Sequence, residues 1–153
     1  MLKSILAIIV SYIVMLLLFT LVFAALYPAL GVERVFQPDS YEISTLWLVL
    51  SIIGSFFGAM FAGWLCVMIS KSFKVGQVFA LIVLVGSAII CSAPSLYRES
   101  EGPHVRAGEV GFFDAMEREV SPRWLHFVNP VLSAAGALAG ARMRRRSLFV
   151  TAL

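Results

Sequence analysis

Long apolar runs alternate with short polar segments along this chain, and four of the runs approach the length a bilayer demands. Residues 4–27, SILAIIVSYIVMLLLFTLVFAALY, form the first. Fifteen of these 24 residues are Leu, Ile, Val or Phe, each favouring insertion by about 0.3–0.6 kcal/mol near the bilayer centre. Pro28 and Gly31 are expected to end that helix. Residues 45–70, TLWLVLSIIGSFFGAMFAGWLCVMIS, carry no charged side chain and form the second run. Laid out at about 100° per residue, Ser51, Gly54, Ser55, Gly58, Ala59, Ala62 and Gly63 fall on one side. Ile53, Phe56, Phe57, Met60, Phe61 and Trp64 fall on the other. Trp47 and Trp64 stand 17 residues apart, about 25 Å along a helix, which predicts one indole in each interfacial belt.

The third run, 75–93, follows a KSFK turn so short that an antiparallel helical hairpin is expected, with Pro94 closing it. The fourth, 124–141, has only six residues of the Leu, Ile, Val, Phe class and includes His126, Asn129 and Pro130. Its apolarity alone leaves insertion near balance. Its residues from Ser133 to Ala141 are nearly all small, which predicts a narrow helix packed among others rather than against lipid. Within the polar segment 98–123, Phe112, Phe113, Met116 and Val120 recur at helical spacing. A short interfacial helix over about 111–120 is the expectation there.

The fold class expected is therefore all-α: a single membrane domain built as a four-transmembrane-helix bundle, with a short interfacial helix in the third connection. Composition agrees, since 60% of residues are apolar, 14% are charged and the mean hydropathy is +0.92. Soluble domains average about 45–50% and 25%.

Charge adds direction. The net charge is +3, but all nine acidic residues lie within 28–44 and 98–123. Lys3, Lys71, Lys74, Arg142, Arg144, Arg145 and Arg146 lie in three other segments. The positive-inside rule assigns these to the cytoplasm, which predicts cytoplasmic N- and C-termini. The pattern is a topology signal, not a nucleic-acid footprint, and anionic lipid headgroups are the expected partners of the basic residues.

Gly54 and Gly58 form one GxxxG, Gly136 and Gly140 another, on helices expected to run in the same direction. With Ala62 and Gly63 these are the expected helix-packing positions, within the bundle or between protomers. No Asp, Glu, Lys or Arg falls inside the four runs, which argues against a coupled transporter. Cys66 and Cys91 stand in separate runs without a CxxC, so disulfide-exchange chemistry has no pair to use. Ser133 lies seven residues from His126, too far along one helix for a nucleophile and its base. His126 and Asn129, three residues apart on one face, are the remaining polar pair. His104 and His126 lack metal-ligand spacing, and neither a metal nor a cofactor is expected.

The KSFK turn, the span GSFFGAMFAG and the run NPVLSAAGALAGARMRRR together resemble the uncharacterised small four-span proteins of bacterial inner membranes. That resemblance implies an integral inner-membrane location and carries over no functional residue. The expected role is that of a non-enzymatic integral membrane protein acting through helix contacts as a structural, accessory or regulatory subunit, as a homo-oligomer or with a membrane protein partner. The alternative is a small oligomeric channel or facilitator for an uncharged or weakly charged solute.

Overall fold

A computed structural model describes residues 2–38, 40–91 and 120–150. Five helices account for most of them: α1 Leu2–Leu30, α2 Val32–Val35, α3 Thr45–Ser70, α4 Phe73–Cys91 and α5 Arg123–Val150. Three of them, over Leu2–Leu30, Thr45–Ser70 and Phe73–Ile90, are long and apolar enough to cross a membrane. α5 is long enough but its charged second half and weak apolarity set it apart. The expected interfacial helix over about 111–120 falls on 111–119, outside the described residues, and on Val120. That last residue lies in a bridge, not a helix.

α1 runs through Pro28 to Leu30 rather than ending before it. Proline removes one donor and crowds the carbonyl four residues back, and so close to the terminus this does not stop the helix. The stop comes at Gly31, whose φ of 75° belongs to the left-handed region and whose N–H donates to the Tyr27 carbonyl at 3.0 Å. α3 has a clear start and a clear end. Ser44 Oγ accepts from the Trp47 N–H at 3.2 Å and donates to the Arg34 carbonyl. At the far end Lys71 takes a left-handed φ of 53° and returns its N–H to the Val67 carbonyl at 2.8 Å. α4 begins two residues later, so the pair forms a helical hairpin. α5 continues past Ala141 through the arginines to Val150, because Arg and Leu are good helix formers and no Gly or Pro follows Gly140.

Two apolar clusters hold the bundle. One, around Ala7, Ala59, Ala62, Cys66, Phe79, Ala80, Val83 and Ala137, joins all four long helices. The other, around Phe23, Tyr27, Val35, Phe36, Ile43 and Trp47, fills the opposite end between α1, α2 and the start of α3. Their residues fix the directions: α1 meets α3 near Cys66 with its early residues and near Trp47 with its late ones, so the two are antiparallel. Trp47 is only 5% exposed and stands edge-on to Phe23 and Tyr27, with ring centroids at 5.2 and 6.5 Å. It is a core residue of that end. The surrounding segment folds back over it, through an antiparallel bridge between Phe36 and Ile43 and a parallel one between Glu42 and Val120.

Candidate functional site

Among the described residues α3 and α5 make the most extensive helix contact, and its geometry follows from residues that have no side chain. A Cβ placed on Gly136 would meet the Phe56 carbonyl oxygen, and one on Gly140 would overlap that of Met60. Conversely, a Cβ on Gly63 would overlap the carbonyl oxygen of Ala137. Backbone therefore rests on backbone, the arrangement that lets Cα–H groups approach carbonyls. Residues 56 and 60 advance in step with 136 and 140, so the helices run parallel.

The two GxxxG motifs do not face one another. Gly136 and Gly140 pack on the Phe56, Met60 and Gly63 side of α3, whereas a Cβ on Gly58 would meet nothing within 4 Å. At about 100° per residue, five residues separate Gly58 from Gly63 by roughly 140°, so one helix cannot seat both. Gly54 points elsewhere again, with Phe23 Cζ of α1 3.0 Å from where its Cβ would stand. Ala62 is fully buried in the cluster shared with α1 and α4. The seam with α5 thus uses positions from both sides of the small-versus-bulky division, because Phe56 and Met60 meet Gly136 and Gly140 through their backbone carbonyls.

One close-packing position escaped the sequence reading. Gly76, at the start of α4, would place a Cβ 2.6 Å from Val67 Cγ2 and 2.8 Å from Ala141 Cβ. It joins the α3–α4 turn to α5, and its spacing of four from Ala80 along the buried face of α4 was the available signal. Through this contact exposed Lys71 and Lys74 come to the same end of the bundle as Arg142 and Arg144. The Arg144 guanidinium lies 5.8 Å from the centre of the Trp64 ring, a cation–π distance. Trp64 in turn stacks on Phe61 at 5.9 Å. The side chains of Arg145 and Arg146 lie outside the described part.

His126 and Asn129 sit on the first turns of α5, both half-buried. Pro130 follows inside the helix, and since it has no N–H the carbonyl of residue 126 receives no helical hydrogen bond from it. The Asn129 Oδ1 is buried without a hydrogen-bond partner. Across the bundle, fully buried Ser11 of α1 faces the Cys66 thiol, too loosely for its hydroxyl to count as hydrogen-bonded. Among the described residues no group of three or more His, Cys, Asp or Glu converges as a metal site would require.

These features define an all-α protein with three helices fit to cross a membrane, compatible with an integral membrane protein. No family model, curated protein or solved structure matches the chain.

Proposed function

We propose that the chain is a four-span integral membrane protein whose work is done by helix contact, as a structural, accessory or regulatory subunit rather than as an enzyme. The observation that supports it is the register of α5 on α3. Gly136 lies at Phe56 and Gly140 at Met60, while Val120, just ahead of α5, pairs with Glu42, just ahead of α3. The two helices therefore start on the same side and travel together, so a bilayer that α3 crosses is one that α5 crosses too. Packing against α3 supplies what the weak apolarity of 124–141 lacks. The basic ends of α3, α4 and α5 then lie together, as the positive-inside rule requires of a cytoplasmic face rich in anionic lipid. In bacteria that membrane is the inner one, with both termini inside.

A channel reading has to place its path between copies of the chain, because Phe79, Val83, Cys66 and Ala137 close one half of the monomer interior with no exposed surface. Contact with a partner is more directly testable. Among the described residues Gly58 is the glycine of α3 whose Cβ would meet nothing within 4 Å, so Gly58→Leu tests what packs against that face.

Reporter fusions after Leu153 and within 100–110 are expected to report opposite compartments; the same compartment for both removes the fourth span. Crosslinking in native membranes is expected to capture a second copy or another membrane protein. If Gly58→Leu leaves the captured species unchanged, contact through this face of α3 is not its role.

A further inference from the structure

We propose that the basic end of the α3–α5 seam holds a discrete site for one anionic phospholipid, its phosphate at Arg144 and an acyl chain over Phe61 and Phe57. Such a site differs from a general attraction of basic residues to a charged leaflet, because particular side chains build it. Gly140 rests on the Met60 carbonyl. One turn further along both helices, the Arg144 guanidinium lies 5.8 Å from the centre of the Trp64 ring, and Trp64 stacks in turn on Phe61 at 5.9 Å. A cation, an indole and an apolar ring therefore follow one another across the seam.

The apolar flank of this row lies on the side of the seam away from α4. Ala141 and Val67 turn toward α4, where a Cβ on Gly76 would stand 2.8 Å from Ala141 Cβ and 2.6 Å from Val67 Cγ2. Met143 is two residues beyond Ala141, about 200° round its helix, and Phe61 six residues before Val67, about 120° round its own. Both are exposed, Met143 at 58% and Phe61 at 46%. Phe57, one turn before Phe61, is exposed at 56%. An exposed apolar strip thus leads from the Arg144–Trp64 pair toward the middle of α3, long enough to take part of an acyl chain.

Three observations select the ligand. The first is charge. Lys3, one turn before the Ala7 that packs with Cys66, joins Lys71, Lys74, Arg142 and Arg144 at this end. The acids among the described residues, Glu33 in α2 and Glu42 just ahead of α3, belong to the other end. Negative charge is therefore welcome here, and the ammonium of a zwitterionic lipid is repelled. The second is donor geometry, since the planar fork of an arginine matches two oxygens of a phosphate. The third is the exposed Phe61, Phe57 and Met143 beside that cation, which favour a ligand whose anionic head carries an apolar chain over a soluble phosphate.

The site rests on the membrane reading, but the two fail separately, since reporter fusions judge the fourth span and labelling judges the site. The full-length protein in phosphatidylcholine liposomes would receive a trace of phosphatidylglycerol with a diazirine on its acyl chain, be irradiated, and have the attachment positions mapped by mass spectrometry. Attachment is expected to concentrate at Phe57, Phe61 and Met143. Added phosphatidylglycerol should displace it, while added phosphatidylcholine or glycerol 3-phosphate should not. Arg144→Gln should lower the displaceable labelling about tenfold, the effect of losing a hydrogen bond to a charged group, and Arg144→Lys should retain most of it. Lys71→Gln removes the same charge from the exposed turn, where salt screens it, and should lower labelling less than about twofold. Circular dichroism and gel filtration identify a variant that fails to fold, and the competition on the unaltered chain decides the matter even then. Labelling spread evenly along exposed α1, or equal displacement by phosphatidylcholine, would overturn the site. Displacement by glycerol 3-phosphate would replace the lipid with a soluble phosphate, and equal losses in folded Arg144→Gln and Lys71→Gln would reduce the site to diffuse attraction.

Discussion

Gly140 and Met60 touch through their backbones: no atom larger than hydrogen fits on the Cα of residue 140 without striking the carbonyl oxygen of residue 60. This contact, repeated one turn away at Gly136 and Phe56, brings α5 against α3. Gly140→Ala forces the helices apart and is expected to cost about 1–3 kcal/mol, the range for overpacking a well-fitted interior. Gly58→Ala is the matched control, with open space at its Cβ. It should be neutral or stabilising by up to about 1 kcal/mol, since Ala has the higher helix propensity. Denaturation in mixed detergent micelles, followed by circular dichroism, measures both. Equal effects from the two substitutions would mean that α5 does not rest on α3 in this register.

Ser44 is held at both ends of its hydroxyl, accepting from Trp47 and donating to the Arg34 carbonyl. It caps α3 and fastens α2 to the start of α3. Ser44→Ala removes both bonds and is expected to cost about 1–2 kcal/mol in the same denaturation assay, at the upper part of the range for a lost N-cap. Ser44→Asp keeps an acceptor for the Trp47 N–H but supplies no donor to Arg34, so an intermediate loss is the expected result.

Arg144 over Trp64 ties the basic end of α5 to α3. A double-mutant cycle between Arg144→Gln and Trp64→Leu should give a coupling of about 0.5–1 kcal/mol, the value of a cation–π pair at a partly exposed site. A coupling indistinguishable from zero would reduce Arg144 to a topology charge. The half-buried state of both residues predicts that the coupling weakens only modestly in high salt, whereas a purely exposed ion pair would be screened.

The all-α class and the three membrane-length helices could be read directly, because apolar run length and charge-free composition are local properties of the chain. The run from Thr45 to Ser70 is a helix throughout, since Ser44 starts it and Lys71 ends it. What could not be read was which neighbour each helix face meets. A GxxxG states that a close approach is possible, not where it occurs. Gly63, Gly136 and Gly140 are used on one seam, Gly54 receives Phe23 of a different helix, and a Cβ on Gly58 meets nothing among the described residues. The burial of Trp47 was not legible for a related reason. Its distance from Trp64 describes depth along the helix, whereas its burial depends on α2 and the bridge at Phe36 and Ile43 folding over it.

The bridge between Glu42 and Val120 provides the most direct check on the common starting side of α3 and α5. Val120 donates its N–H to the Tyr41 carbonyl at 3.0 Å and accepts from the Ile43 N–H at 3.4 Å, the slanted pattern of a parallel pair with residue 42 opposite residue 120. Strands so paired lie about 4.8 Å apart, within the range of about 4.4–6.8 Å that a disulfide spans. A chain with Cys66 and Cys91 replaced by Ala, carrying Glu42→Cys and Val120→Cys, should therefore close a disulfide under mild oxidation. The product would migrate faster in non-reducing gels and revert with dithiothreitol. Because both residues lie just ahead of their helices, closure in intact vesicles by an oxidant that cannot cross the membrane would also set the starts of α3 and α5 together on the exposed face. Failure to close with an oxidant that reaches both faces would contradict the pairing itself, and with it the register that carries α5 alongside α3.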